Sequence, residues 1–452
     1  MTQGSESAKA NVPMELLLFL RFFVTIWLVL LISRTFLLEP NLIPTGSMAP
    51  GRLGKHILIK CDDCRYEWAL GVLPDMRRGE AACPNCGNAQ PDKLKTNQSI
   101  YEGDRLWVLK PAFILSAPER FDEVVFYSPD APLTPHLKRI VGLPGEKIQI
   151  KNGDVFINEK LLQKTQKPRK TISIPVYDQH FPTHSASSTP RWHFQADSGG
   201  EWKKADDGTI AFRRKNTNEW ESATVDFRHF SPDRQEFGMV DDFLAYNGRN
   251  QGIDHDVDDL WYTATIQAEN MQKIIFRITN RNVNIEIRWT HENADDHFDF
   301  IINNQAIKPE LMKQGRRINP TGQFQIQLSV VDRQLEFLIN DRDIIFRFSL
   351  EEITPRMPEE SLRISPAGFS FIGEKLTITD FRLYRDIYYT DRTAEEPVKG
   401  FATDQPVEIP ADHYFVLGDN SQMSVDSRFW QRGSFVHRSA IIGKPLRQAR
   451  LN

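Results

Sequence analysis

The sequence predicts a mainly β protein hung from one N-terminal transmembrane helix, with a β-rich body that is interrupted twice. Three observations carry that prediction. A long apolar segment, Leu16 to Leu38, lies near the start of the 452-residue chain. All 4 cysteines fall in two Cys-x2-Cys pairs, Cys61/Cys64 and Cys83/Cys86. Between Lys167 and Ala394 the text becomes a succession of apolar/polar alternations separated by turn residues, with no helical period between them. Alternation at every second residue is the mark of a half-buried strand, and many such strands in series make a two-sheet sandwich or jelly roll.

The apolar segment has 23 residues, with Arg21 and Arg34 near its ends. At a helical rise it reaches ~34 Å, enough to cross a hydrocarbon core of ~30 Å. A cleaved leader is the alternative, but Glu39-Pro40-Asn41 follows where a small-x-small cleavage site would stand. The segment therefore reads as a retained single-pass anchor in contact with the bilayer, with everything from Glu39 onward on one side. Lys9 is the only basic residue before Arg21, so the charge rule leaves the orientation open. A net charge of −4 without a dominant basic block excludes a nucleic-acid binder as the expected class.

Beyond the anchor, Ile57-Leu58-Ile59-Lys60 reads as a short strand that leads into the first cysteine pair. The two pairs, 18 residues apart, have the spacing of a tetrahedral Zn(Cys)4 ribbon, with Pro84 and Gly87 shaping a knuckle. Two disulfides are the competing account for an extracytoplasmic body. A Cys-x2-Cys pair closes poorly as a structural disulfide, so structural zinc at Cys61, Cys64, Cys83 and Cys86 is the expectation. Strand text resumes at Arg105–Leu109 and Glu123–Tyr127, and Lys147–Ile157 reads as a hairpin around Asn152-Gly153. In the long β region the clearest strands are Lys273–Ile278, Val283–Trp289, Phe298–Ile302, Phe324–Val331, Leu335–Ile339, Asp343–Phe348 and Leu376–Leu383. Its flanks, rich in Pro, Ser and Thr at Thr183–Pro190 and in charge at Asp391–Glu396, suit an inserted domain. The acidic run Asp254-His255-Asp256-Val257-Asp258-Asp259 reads as a solvated loop or a calcium loop.

The residues that bear on chemistry begin with Ser47, in Pro44-Thr45-Gly46-Ser47-Met48-Ala49-Pro50, 9 residues past the apolar segment. A hydroxyl in a tight turn beside a bilayer suits a nucleophile whose substrate lies at the membrane, although the segment taken alone reads first as a juxtamembrane linker. A nucleophilic serine needs a base. None of the 11 histidines stands in a setting that nominates it. Lys138, ahead of Ile140-Val141 and the Gly142-Leu143-Pro144-Gly145 turn, becomes a base near neutral pH once burial disfavours its charged form. By pattern alone, Lys138-Arg139 also reads as a solvated pair.

Four segments in order resemble bacterial type I signal peptidases, membrane-anchored serine proteases with a Ser-Lys dyad. They are Pro44–Met48; Gly103-Asp104 through Val108; Lys138-Arg139 through Glu146; and Gly418-Asp419-Asn420 through Ser424-Val425-Asp426-Ser427-Arg428. The resemblance implies Ser47 as nucleophile and Lys138 as general base, with the Ser47 N–H and the Thr45 hydroxyl as oxyanion donors. It implies that Ser424 hydrogen-bonds and orients the lysine, that Asp426 and Arg428 form a supporting ion pair, and that Met48 gives apolar cover near the bilayer. It further implies signal peptides of exported preproteins as substrates, small residues at the −1 and −3 positions, and the translocation machinery as a neighbour. No cofactor is expected for catalysis, and the catalytic part is expected on the extracytoplasmic face of the inner membrane. The chain departs from the pattern at Ser421-Gln422-Met423, where Arg-Asp-Asn is usual, at Gly51 in place of Thr, and at Gln431-Arg432.

The expected partition is a tail 1–13, a transmembrane helix 14–38, catalytic parts 39–56, 96–166 and 395–452, a ribbon 57–95 and an inserted β-sandwich 167–394. The strand text of the last, such as Leu328–Asn340, resembles concanavalin-like sandwiches. The rival expectation is a membrane-tethered binding protein whose sandwich recruits a partner or glycan and whose peptidase segments are inactive.

Overall fold

The computed structural model describes residues 14–72, 81–90, 99–184, 190–196, 199–215, 221–249, 255–280, 283–292, 295–308, 311–312, 322–340, 343–351, 365–392 and 399–446. The tail 1–13, Asp254, and most of the Thr183–Pro190 and Asp391–Glu396 flanks lie outside the described residues. The fold is mainly β with an apolar N-terminal helix, as the sequence predicts. The helix, Met14–Ile32, continues through a π-helical turn, Ser33–Leu37, and its residues are exposed along the length, as lipid-facing residues would be. Strand Leu38–Leu42 starts without a linker, and Lys110 ties the junction to the body through Thr35 O at 3.0 Å and Glu39 at 2.8 Å.

That strand is the edge of a seven-stranded antiparallel sheet with the order Leu38–Leu42, Arg105–Leu109, Ile441–Pro445, Glu123–Tyr127, Pro135–Gly142, His413–Leu417, Val436–His437. Residues far apart in sequence are direct neighbours in it: Val124 pairs with Lys138, and Leu417 with Arg139. One face of the sheet packs Val124, Phe126, Ile140, Val416 and Trp430 together, and the other packs Val141, Phe415 and Leu417 with Ala49 and Tyr246. Consecutive side chains of a strand point to opposite faces. Covering both faces therefore buries two adjacent charged residues, Lys138 and Arg139, each 3% exposed. The solvated-pair pattern fails here for that reason. The hairpin Lys147–Lys151/Asp154–Ile157 forms around Asn152 and Gly153, both at positive φ (53° and 87°), which only a turn of this composition adopts without strain.

The long β region forms a nine-stranded and a seven-stranded antiparallel sheet packed face to face. The alternation at Val283–Trp289 matches strand Asn284–Glu292, which buries Ile285, Ile287 and Trp289 completely. Aromatic contacts join the layers, with ring centroids of Phe276 and Phe337 at 5.4 Å and of Phe300 and Phe346 at 3.8 Å. Three further strands, Ala223–Phe227, Leu260–Glu269 and Ala367–Ile372, lie outside those expected from the sequence, although Ala223–Phe227 and Tyr262–Glu269 alternate apolar and polar residues.

The acidic run does not act as an open loop. Asp256 pairs with Arg234 at 2.8 Å, and Asp259 Oδ2 accepts the Asp332 N–H at 3.0 Å. Asp259, Asp332 and Asp386 draw together, and Lys164 answers them from just after the hairpin: its Nζ lies 2.6 Å from Asp332 Oδ1 and 2.8 Å from Asp386 Oδ2. Burial disfavours the Lys164 ammonium, yet these carboxylates raise its pKa well above the ordinary lysine value. The lysine is thus the counter-ion that lets the hairpin dock on the sandwich. Replacing Lys164 by Met leaves buried carboxylates without their cation, and urea denaturation is expected to show a loss of about 3–5 kcal/mol. A loss below about 1 kcal/mol contradicts this role.

Candidate active site

The turn that carries Ser47 is built by its neighbours in space. Ile43 N donates to Asp104 O at 2.9 Å, Leu53 N to Asp104 Oδ2 at 2.9 Å, and Lys55 N to Pro44 O at 3.2 Å. Gly103, at φ 108°, brings its Cα against Ile43 O, where a side chain would collide. The Gly103-Asp104 pair is therefore the clamp that closes residues 43–55 into a loop. Ser47 is held near the protein interior, 7% exposed.

Lys138 comes from the middle of the seven-stranded sheet, and its Nζ reaches Ser47 Oγ at 2.5 Å. Burial disfavours its ammonium and outweighs the attraction of Asp426 and Asp419, with Arg428 adding to the depression, so the pKa falls from the usual lysine value to about 8. The Thr45 hydroxyl lies 3.4 Å from Ser47 Oγ. Asp426 and Arg428, both without exposed side-chain surface, form a two-point ion pair: Nε to Oδ1 at 2.9 Å and Nη2 to Oδ2 at 2.8 Å. Asp426 Oδ2 also accepts the Gly418 N–H at 3.0 Å. Burial would raise the Asp426 pKa, but the Arg428 charge and these hydrogen bonds hold it below the usual carboxylate range.

Two expectations carried by the resemblance do not match the geometry. Ser424 does not hydrogen-bond Lys138: its buried Oγ faces Gly418, where a Cβ would strike it, and lies toward Asp426. Met48 is completely buried, so its side chain packs inside the protein and gives no cover toward a bilayer. The unusual loop Ser421-Gln422-Met423 is integrated rather than loose. Arg428 Nη1 donates to Ser421 Oγ at 2.8 Å and to Thr390 O at 2.6 Å, and Thr390 N donates to the same Ser421 Oγ at 2.8 Å.

Several site residues escape the sequence reading. Arg139 grips Asp419 through Nε–Oδ1 at 2.8 Å and Nη2–Oδ2 at 2.6 Å, and Glu123 joins it at 3.3 Å. Asn420 brackets the serine, donating from Nδ2 to Gly46 O and from its backbone N–H to Ser47 O, both at 3.0 Å. The signal for Arg139 and Asp419 lay in the motifs already singled out. Their pairing depends on a strand contact across 280 residues that no local pattern reveals.

The four cysteines converge in a second cluster. Hairpin His56–Lys60/Glu67–Gly71 delivers Cys61 and Cys64, and the turn after Ala82 delivers Cys83 and Cys86. All four are buried, their sulfur atoms lie within 4.8 Å of one another, and Cys61–Cys86 and Cys64–Cys83 stand at 3.5 Å. A tetrahedral zinc with ~2.3 Å bonds separates its sulfur ligands by ~3.8 Å, so the cluster fits a metal ion with no position left open for chemistry. Arg191 brings a buried guanidinium to this cluster and donates to Asn85 O at 3.1 Å, which joins the knuckle to the sandwich.

The chain matches the family model described as "Signal peptidase, peptidase S26" over residues 88–201 and 370–447. Those segments include Lys138 and Gly418–Arg428 but not Ser47. It is 26% identical over 144 residues to proteins named "Signal peptidase I" from Rickettsia prowazekii (strain Madrid E) and Rickettsia typhi (strain ATCC VR-144 / Wilmington). Each match covers 32% of this chain and 44% of the relative, so the chain spans less than half the length of these curated relatives. Among solved structures it is similar to the carbohydrate binding module CBM66 from Bacillus subtilis, at 9% identity and a TM-score of 0.26 over 42% of this chain and 93% of that one. It is also similar to a β-glucanase from Bacillus licheniformis, at 9% identity and a TM-score of 0.28 over 46% and 97%. Scores this low carry no assignment for the sandwich. The matches to the peptidase model and to the Rickettsia proteins support a place in the signal peptidase (S26) family.

Elemental analysis of protein purified without chelator is expected to find about one zinc per chain, and Cys83→Ser is expected to lose it together with thermal stability. Metal-free wild-type protein with the same melting temperature contradicts the zinc account.

Proposed function

We propose that the chain is a membrane-anchored serine endopeptidase that removes N-terminal signal peptides from exported preproteins through a Ser47–Lys138 dyad. The observation that carries this reading is the 2.5 Å approach of Lys138 Nζ to Ser47 Oγ in a buried site. The peptidase unit would comprise residues 39–56, 96–166 and 395–452, interrupted by the ribbon 57–95 and the sandwich 167–394. The anchor 14–38 would place the catalytic part on the extracytoplasmic face of the inner membrane. Exposed Leu42, on the first strand past the helix, and Trp107, on the strand paired with it, would offer apolar surface to the bilayer there.

The reaction needs a neutral amine. Lys138 takes the Ser47 hydroxyl proton as Oγ bonds to the carbonyl carbon of the scissile peptide. The Ser47 N–H and the Thr45 hydroxyl receive the developing oxyanion. The lysine then returns the proton to the leaving amine, and an ester of Ser47 remains. In the second half a water loses its proton to Lys138 and attacks the ester, and Ser47 Oγ leaves as the hydroxyl. Lys138 needs no third acid, because a neutral base becomes a cation that the nearby Asp426 and Asp419 charges favour. A donor at the oxyanion contributes ~10²–10³ in kcat. Small −1 and −3 residues next to the cleaved bond, with the substrate's apolar segment in the membrane, would present that bond at the depth of Ser47.

Ser47→Ala and Lys138→Ala are each expected to lower preprotein cleavage by at least ~10³-fold with the fold intact. Cleavage by both at the wild-type rate contradicts the dyad, and a wild type that cleaves no preprotein favours the tethered binding protein. For the wild type, kcat/KM is expected to rise with pH as Lys138 deprotonates and to level off above about 8, the value set by its burial. A profile flat from pH 6 to 9 contradicts Lys138 as the base.

A further inference from the structure

The loop between the sandwich strands Ala223–Phe227 and Leu260–Glu269 does not stay with the sandwich. Its 3-10 turn, Ala245–Asn247, reaches the Ser47 turn. The Tyr246 ring lies against both Gly46 and Gly71, where a Cβ at either position would strike it, and its hydroxyl donates to Lys55 O at 3.0 Å. Next to it, the side-chain amides of Asn247 and Asn420 face each other and exchange two hydrogen bonds. Asn420 Nδ2 donates to Asn247 Oδ1 at 2.6 Å, and Asn247 Nδ2 donates to Asn420 Oδ1 at 2.9 Å. Asn247 Nδ2 also meets Gln422 Oε1 at 3.2 Å, and Gln422 Nε2 donates to Asp242 O at 3.4 Å.

This pairing has a consequence for the reaction. A primary amide can flip, exchanging its donor and acceptor ends. The reciprocal pair lets the Asn420 and Asn247 amides flip only together, and Gln422, oriented by Asp242 O, fixes the Asn247 end, so Asn420 is set with its NH2 toward Gly46 O, which it reaches at 3.0 Å. Gly46 C=O and Ser47 N–H belong to one planar peptide unit and point in opposite directions. Holding the carbonyl therefore aims the N–H. We propose that Asn247 is a positioning residue for the oxyanion donor: it sets the Asn420 amide, which in turn sets the Gly46–Ser47 peptide plane. This inference rests on the peptidase reading above. It makes the inserted sandwich part of the catalytic apparatus, and it gives Gln422, where the chain leaves the family pattern, a partner on the same loop.

The test is a double-mutant cycle on the full-length enzyme with a preprotein substrate, comparing Asn247→Ala, Asn420→Ala and the pair. Asn247→Ala is expected to lower kcat about 10-fold or more with KM within twofold, since a misaimed donor loses transition-state contact and not ground-state binding. The acid limb of the pH profile stays in place, because Lys138 does not touch this pair. In the Asn420→Ala background the same change is expected to cost less than twofold. Equal losses in both backgrounds, or wild-type kcat for Asn247→Ala, overturn the inference. If Asn247→Ala fails to fold, the isosteric Asn247→Asp carries the cycle, since it cannot donate to Asn420 Oδ1. A several-fold kcat loss that vanishes without Asn420 is expected, and wild-type kcat overturns the inference. A wild-type enzyme that cleaves no preprotein refutes the peptidase reading itself, which separates the two failures.

Discussion

The approach of the buried Lys138 Nζ to Ser47 Oγ is the contact on which the rest of the structure depends. An ammonium at that position would be stable in water, and only the removal of water makes the neutral form accessible near pH 8. The sheet that carries Lys138 must therefore be covered on both faces. The covering is drawn from distant parts of the chain: Trp430 and Val425 on one side, Ala49 and Tyr246 on the other. Charges that such a dry site cannot avoid are paired in place. Arg139 is matched with Asp419 and Glu123, and Arg428 with Asp426. A buried ion pair of this kind adds little net stability over an apolar pair, and breaking one is costly. Its use here is to fix the loop Gly418–Arg428 at one distance from Ser47.

The same logic extends to the added parts of the fold. The cysteine cluster, the Lys164–carboxylate cluster and the Tyr246 wedge each join a segment that is small or irregular to a neighbour with a large core. Asn85 of the knuckle holds the backbone at Asp178 and Phe181, and Lys164 holds Asp332 and Asp386. The sandwich thus meets the ribbon, the hairpin and the Ser47 turn at three separate places. A freely tethered recruitment module would have no need of such contacts.

The fold class was legible in the sequence wherever one face of a strand is wet. Asn284–Glu292, with Ile285, Ile287 and Trp289 inside, was read from its alternation, and the Asn152-Gly153 turn from its composition. Leu260–Glu269 alternates from Tyr262 onward, but largely through Ala and Thr, whose contrast in polarity is weak, so its pattern is faint in the sequence. In the site, Ser47 and Lys138 are nominated by residue type and by motifs that lie close in sequence to an apolar helix and a strand. Asn247, Asn420 and the Arg139–Asp419 pair are not, because their meaning arises from contacts across 173 to 280 residues. The contact expected between Ser424 and Lys138 failed for a local reason: the Ser424 Oγ faces Gly418.

The central claim is that burial, rather than a partner charge, makes Lys138 a base. The most direct measurement is an NMR titration of the Lys138 side chain, isotope-labelled and assigned by its loss in Lys138→Arg. A transition near pH 8 is the result this account predicts. A transition near the ordinary lysine value of ~10.4 would contradict it.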